Sequence, residues 1–72
     1  MTVYEMIKKR LRDEIEHSRY TKSELAAMVG VTPEMITQYC TTNKLPRLDT
    51  FARLCKALDV SADYLLGIDT FS

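Results

Sequence analysis

No hydrophobic run in this chain approaches the roughly 18–20 residues that a membrane span requires. The opening stretch, MTVYEMIKKRLRDE, is amphipathic and charged and lacks the apolar middle of a secretory signal. A cytoplasmic protein with no membrane partner is therefore expected. Cysteine is scarce. Cys40 and Cys55 are too few for a disulfide scaffold and have no metal-ligand spacing. Both fall at apolar positions of expected helices and read as buried, reduced thiols acting as small hydrophobes. The two glycines form no Gly-rich phosphate loop, and the lone His17 has no Ser or Cys nucleophile in its sequence context. The carboxylates scatter over expected helix surfaces. These absences speak against an enzyme, and they give no reason to expect a catalytic residue, a metal, a cofactor or a small-molecule ligand. There is no internal repeat, low-complexity segment or linker. An excess of either charge is missing too, because ten Lys and Arg balance ten Asp and Glu. Non-specific attraction to a polyanion should be weak, with a modest salt dependence, although local distribution matters more than the sum.

What is present suffices for one small domain over residues 1–72. Apolar content is 46%, ordinary for a folded globular chain. A core this small is marginal alone, so a second copy would help stabilise it. The apolar pattern predicts five helices, at about 3–18, 22–29, 33–41, 48–58 and 62–66. In the first, Val3, Ile7, Leu11 and Ile15 form one stripe, with Tyr4 and Met6 flanking it. Lys8, Lys9, Arg10 and Arg12 cluster on the other faces, more simply a solvated charged surface than a phosphate site. Asp13, Glu14 and Glu16 follow, opposite to what the helix dipole favours. Tyr20 is expected to pack into the core. Leu48, Phe51, Ala52, Leu54, Cys55 and Leu58 are the expected buried side of the fourth helix. Ser61 caps the fifth, and Gly67 ends it.

The chain is organised around Lys22–Tyr39, KSELAAMVGVTPEMITQY. Thr21 and Glu24 form a capping box that starts a helix. Leu25 and Val29, four apart, share its buried face. Gly30 stands where that helix must turn sharply, and glycine alone takes a left-handed conformation without steric cost. Thr32 can cap the next helix, and Pro33 suits its first position. Met35, Ile36 and Tyr39 supply its apolar face. Ala26 leaves clearance for two helices meeting at a steep angle. Leu25-Ala26, Val29-Gly30-Val31-Thr32, Ile36 and Tyr39, with Pro46 and Ser61-Ala62-Asp63-Tyr64-Leu65-Leu66-Gly67, resemble the phage repressor and Cro group of helix-turn-helix transcription regulators, the XRE-like family. The resemblance covers nearly the whole chain. It implies an all-α, compact, five-helix, lambda-repressor-like DNA-binding domain, with the helix-turn-helix at helices 2 and 3.

A helix lying in the major groove reads base edges with its N-terminal half. The face of the third helix opposite Ile36 and Tyr39 carries Pro33, Glu34, Thr37 and Gln38, the expected base contacts. Gln38 can pair bidentately with adenine, Glu34 can accept from a cytosine amine, and Thr37 can meet a thymine methyl or a phosphate. Glu34 also stabilises its helix as a first-turn acid, and facing DNA without a cytosine partner it would act as a filter. No Arg or Lys lies on this face, which speaks against strong guanine recognition. Expected phosphate contacts are Lys22, Ser23, Thr32, Thr41, Asn43, Lys44 and Arg47; for Lys22 and for the loop residues Asn43, Lys44 and Arg47 a plain solvated surface role is the competing reading. Family members often carry Gln at the position of Lys22 and use it to hold phosphate. They commonly pair an Arg in the first helix with a Glu after the tyrosine of the third, where this chain has Ile15 and Cys40. Replacing both partners of a buried ion pair with apolar groups can be neutral or stabilising, and it predicts that Ile15 touches Cys40. The family's Asn-Gly after the third helix is replaced by Thr41-Thr42.

The resemblance thus implies a sequence-specific regulator of double-stranded DNA, a repressor acting as a homodimer on a near-palindromic operator. The expected dimer contact is the end of the chain carrying Leu65, Leu66, Ile68 and Phe71. With no room for a ligand-sensing domain, any switch must act on this small body, unless the chain is a piece of a longer regulator. The competing reading is a protein-interaction module or antitoxin-like subunit that keeps the helix-turn-helix body. A positive surface around Lys22, Lys44 and Arg47 discriminates between the two.

Overall fold

Local capping chemistry starts four of the five helices in a computed structural model that describes residues 1–68. The helices are α1 (Val3–Glu16), α2 (Lys22–Val29), α3 (Pro33–Thr41), α4 (Leu48–Leu58) and α5 (Ala62–Leu66). Thr2 and Glu5 close a capping box on α1, and Thr21 and Glu24 close one on α2. In each box the Thr hydroxyl accepts the third amide of the helix while the Glu carboxylate accepts the amide of the Thr, so two orphan donors are satisfied at once. Thr32 and Ser61 cap α3 and α5 with one side-chain bond each, whereas Arg47 precedes α4 with none. α1 stops at Glu16, two residues short of the expected end. The amide of Ser18 closes a tight bond to the carbonyl of Ile15, and its hydroxyl then accepts the amide of Tyr20, a local alternative that competes with helix continuation.

α2 packs on α3 and α4, and α1 packs on α3 and α5. One cluster fills the space between them: Leu11 and Ile15 from α1, Leu25, Ala26 and Val29 from α2, Ile36, Tyr39 and Cys40 from α3, Phe51, Leu54 and Cys55 from α4, and Leu65 from α5. Both cysteines are free thiols inside it, and burial pushes both thiols up from their ordinary pKa. Ile15 and Cys40 sit in the same cluster, where α1 meets α3. Tyr20 and Met35 pack against its edge. Among the described residues no helix is long and apolar enough to cross a membrane.

Three positions depart from the expected apolar faces. Val3, at the first position of α1, is exposed. Leu48, at the first position of α4, is 84% exposed. It forms the lip of a small cleft shared with Ile7, Leu45, Pro46, Phe51 and Leu66. Ala52 faces solvent, and Thr50 takes the buried place instead.

The basic cluster of α1 is not merely a solvated face. Lys8 donates its ammonium to the carbonyls of Tyr39 and Lys44. Arg10 donates to the carbonyl of Tyr64 and lies 4.5 Å over its ring. Neither α3 nor α5 has a basic residue in its own last turn. The last carbonyls of a helix lack internal partners and carry its negative dipole end, so these two cations stabilise helix ends that α3 and α5 cannot complete themselves. Lys9 pairs with Asp13 at 3.0 Å, and Arg12 lies 3.6 Å from the same carboxylate.

Candidate nucleic-acid interface

Three residues make the turn between α2 and α3. Gly30 ends α2 at φ +84°, and its amide and that of Val31 both donate to the carbonyl of Ala26, at 2.8 and 3.0 Å. Thr32 then runs extended, and its hydroxyl accepts the amide of Met35 at 3.2 Å. Pro33 opens α3, where no intrahelical amide is needed. Ala26 is buried beneath the turn. Burying Ile36, Tyr39 and Cys40 fixes the rotation of α3 and leaves a polar face outward. Pro33, Glu34 and Thr41 are exposed there, while Thr37 and Gln38 are half-buried. Glu34 is the single charge on that face.

Lys22, Ser23, Thr32, Asn43, Lys44 and Arg47 are all exposed. Lys22 and Ser23 occupy the first turn of α2, where backbone amides are free to meet an anion. The hydroxyl of Thr41 donates to the carbonyl of Thr37 at 2.9 Å, so it must rotate away before it can donate to a phosphate. Arg47 lies 3.7 Å from Asp49, with the arginine side chain 88% exposed. Such a surface pair is worth little and leaves the guanidinium free to exchange partners.

Arg53 is a residue that the sequence pattern did not single out. It lines a groove of about 400 Å³ with Lys44, Arg47, Asp49 and the turn residues Gly30 and Val31. Its guanidinium nitrogen lies 3.8 Å from the place a β-carbon on Gly30 would occupy. Three cations and one carboxylate therefore border the groove beside the helix-turn-helix. The only sequence signal was an Arg on the solvent side of α4, and that does not reveal that α4 packs beside the turn. His17 is exposed and bonds through Nδ1 to the carbonyl of Asp13 at 2.8 Å.

Two helices joined by a glycine turn, with an apolar inner face and a polar outer face on the second, define a helix-turn-helix. The chain belongs to that family, whose profile, described as Helix-turn-helix, matches residues 9–65. It is similar to the HTH-type transcriptional regulator ImmR of Bacillus subtilis (strain 168), 33% identical over 64 residues, which are 89% of this chain and 50% of that protein. It is also similar to the uncharacterized HTH-type transcriptional regulator YobD of the same strain, 34% identical over 59 residues, 82% of this chain and 53% of that protein. The chain spans about half the length of these relatives. No solved structure matches it.

Proposed function

We propose that this chain is a DNA-binding transcriptional regulator of the cytoplasm, a repressor that places α3 in the major groove of a near-palindromic operator as a homodimer. The observation that carries this reading is the outward polar face of α3 flanked by exposed cations. Pro33, Glu34, Thr37 and Gln38 meet base edges. Lys22, Ser23, Thr32, Thr41, Asn43, Lys44 and Arg47 meet phosphates on either side, and Arg53 extends the positive border. Both relatives are named as transcriptional regulators. The balanced total charge is compatible with this, because Lys8 and Arg10 are engaged on helix ends and Lys9 and Arg12 flank Asp13. Of the six Lys and Arg outside α1, Lys22, Lys44, Arg47 and Arg53 are the ones assigned to the proposed interface, while Arg19 lies over the ring of Tyr20 and Lys56 lines a separate groove with Tyr20 and Met28. Selection from a random duplex pool at low salt, followed by sequencing of the bound fraction, tests the reading. An inverted repeat with half-sites about one helical turn apart is the expected result. Gln38→Ala should then erase the preference at its base position, a discrimination of about 1–3 kcal/mol.

The homodimer has its best candidate surface where apolar side chains are left uncovered. Leu48 and Ile68 are exposed, and Leu66 is half-buried beside the cleft under Leu48. Leu65 is fully buried and belongs to the core, so it drops out of the expected contact. Phe71 lies outside the described residues. Leu66→Ala should raise the monomer fraction in analytical sedimentation, and unchanged sedimentation would retire this surface.

One observation favours the second reading, a protein-interaction module or antitoxin-like subunit. The only charge on the outward face of α3 is the carboxylate of Glu34, which repels phosphate. No duplex enriched at high micromolar protein would favour that reading.

A further inference from the structure

The loop between α3 and α4, residues 42–47, has no regular structure, yet two successive carbonyls in it are held from α1. The hydroxyl of Tyr4 donates to the carbonyl of Asn43. One helical turn further on, Lys8 donates to the carbonyl of Lys44 at 2.7 Å and to that of Tyr39 in the last turn of α3. The loop is also braced from its own side: the hydroxyl of Thr42 donates to the carbonyl of Gln38 at 2.7 Å and accepts the amide of Lys44 at 3.2 Å. The backbone of Asn43 and Lys44 is thus tied toward α1, while their side chains remain exposed. Tyr4 and Lys8 are four apart on one helix face, so a single rigid element sets both ties. Neither is a core residue: Tyr4 is 39% exposed and Lys8 half-buried. Lys8 is desolvated enough for its ammonium to be held below the ordinary pKa, burial being the main cause. An ammonium in that position is stabilised by the carbonyls it meets.

We propose that Tyr4 and Lys8 are positioning residues for DNA binding, which hold the α3–α4 loop so that Asn43 and Lys44 meet the phosphate backbone. The inference rests on the DNA-binding reading above. A competing role for these residues is open beside them. Tyr4, Lys8, Lys9 and Arg12 line a groove with Thr42 and Asn43, and cations there could touch phosphate directly. Tyr4→Phe separates the two roles, because it removes one hydroxyl and no charge. Any change it makes in the salt dependence of binding must act through the loop.

The test uses a random-sequence DNA duplex, since phosphate contacts carry no sequence preference. Affinity is measured across a salt series for four chains: wild type, Tyr4→Phe, the double variant Asn43→Ala/Lys44→Ala, and all three changes together. Tyr4→Phe should weaken binding about fivefold and make the salt slope shallower by up to about 0.9 per chain, the share of one cation. In the background lacking the Asn43 and Lys44 side chains it should change affinity by less than about 1.5-fold, because coupled residues lose their mutual term once one partner is gone. Equal loss in both backgrounds would mean that Tyr4 acts independently of Asn43 and Lys44, through overall stability or its own contact with the duplex, and the inference would be overturned. An unchanged affinity and slope for Tyr4→Phe would overturn it while leaving the DNA-binding reading intact. A wild-type chain that binds no duplex would remove both. Lys8→Met, which orphans two carbonyls, should melt at a lower temperature, and for that reason the decision rests on Tyr4→Phe.

Discussion

Ile36→Ala should lower the stability of the domain by about 2–5 kcal/mol, the range for truncating a fully buried branched aliphatic side chain. Ile36 is 0% exposed and sits in the middle of α3, where that helix packs against both α1 and α2. Chains of this size hold about 4–11 kcal/mol in total at the usual stability per residue. The single change therefore removes a large fraction of what keeps the chain folded. For a domain this small the melting temperature should fall by roughly 8–40 °C, on about 4–8 °C per kcal/mol. Thermal unfolding followed by circular dichroism reads this directly. Gln38→Ala, two residues along the same helix and half-buried on the opposite side, should move the melt by only a few degrees, at about 1 kcal/mol or less. The contrast tests the rotation of α3 itself. If the two variants melted alike, the outward face of the helix would be misassigned and the proposed base contacts with it.

The helix-turn-helix was legible in the sequence because its determinants are local. The capping box of Thr21 and Glu24, the left-handed Gly30 and the pair Thr32-Pro33 each act within a turn of chain, and side-chain type and spacing specify them. The box of Thr2 and Glu5 has the same signature at the start of α1 and was equally available to be read. What escaped depends on contacts distant in sequence. Lys8 reaches a carbonyl 31 residues away and Arg10 one 54 residues away. A cluster of four cations on a helix surface gives no sign of which will find a helix end. Leu48 fits the periodicity of a buried face but lies at the first position of its helix, on the lip of a cleft, whereas Phe51, one turn on, is buried. The periodicity of α4 shows which side of the helix is wet, but Arg53 borders the turn because of where α4 docks. The candidate contacts on α3 were legible because burying Ile36, Tyr39 and Cys40 leaves the opposite face as the only one free.

The salt dependence of DNA affinity should count the cations at the interface and, through them, the number of chains on the duplex. Each phosphate neutralised contributes about −0.9 to the slope of log affinity against log salt. Lys8 and Arg10 are engaged on backbone carbonyls, so they should add nothing. Lys22, Lys44 and Arg47 then predict a slope of about −2.7 for one bound chain and about −5.4 for two. Between about 50 and 200 mM salt this is an affinity loss of about 40-fold for one chain and well over 1,000-fold for two, measurable by fluorescence anisotropy. Changing all three cations to Gln should flatten the slope almost completely. If Arg53 also reaches a phosphate, the slopes steepen to about −3.6 and −7.2, and Arg53→Gln restores the lower pair. Arg47 gives the sharpest internal check. Its exchange partner Asp49 competes with phosphate for the same guanidinium, so Asp49→Asn should tighten binding slightly while leaving the slope where the cation count puts it. A slope near zero for the unmodified chain would mean that Glu34 and the balanced total charge dominate the surface, and the outward face of α3 would then belong to a protein partner.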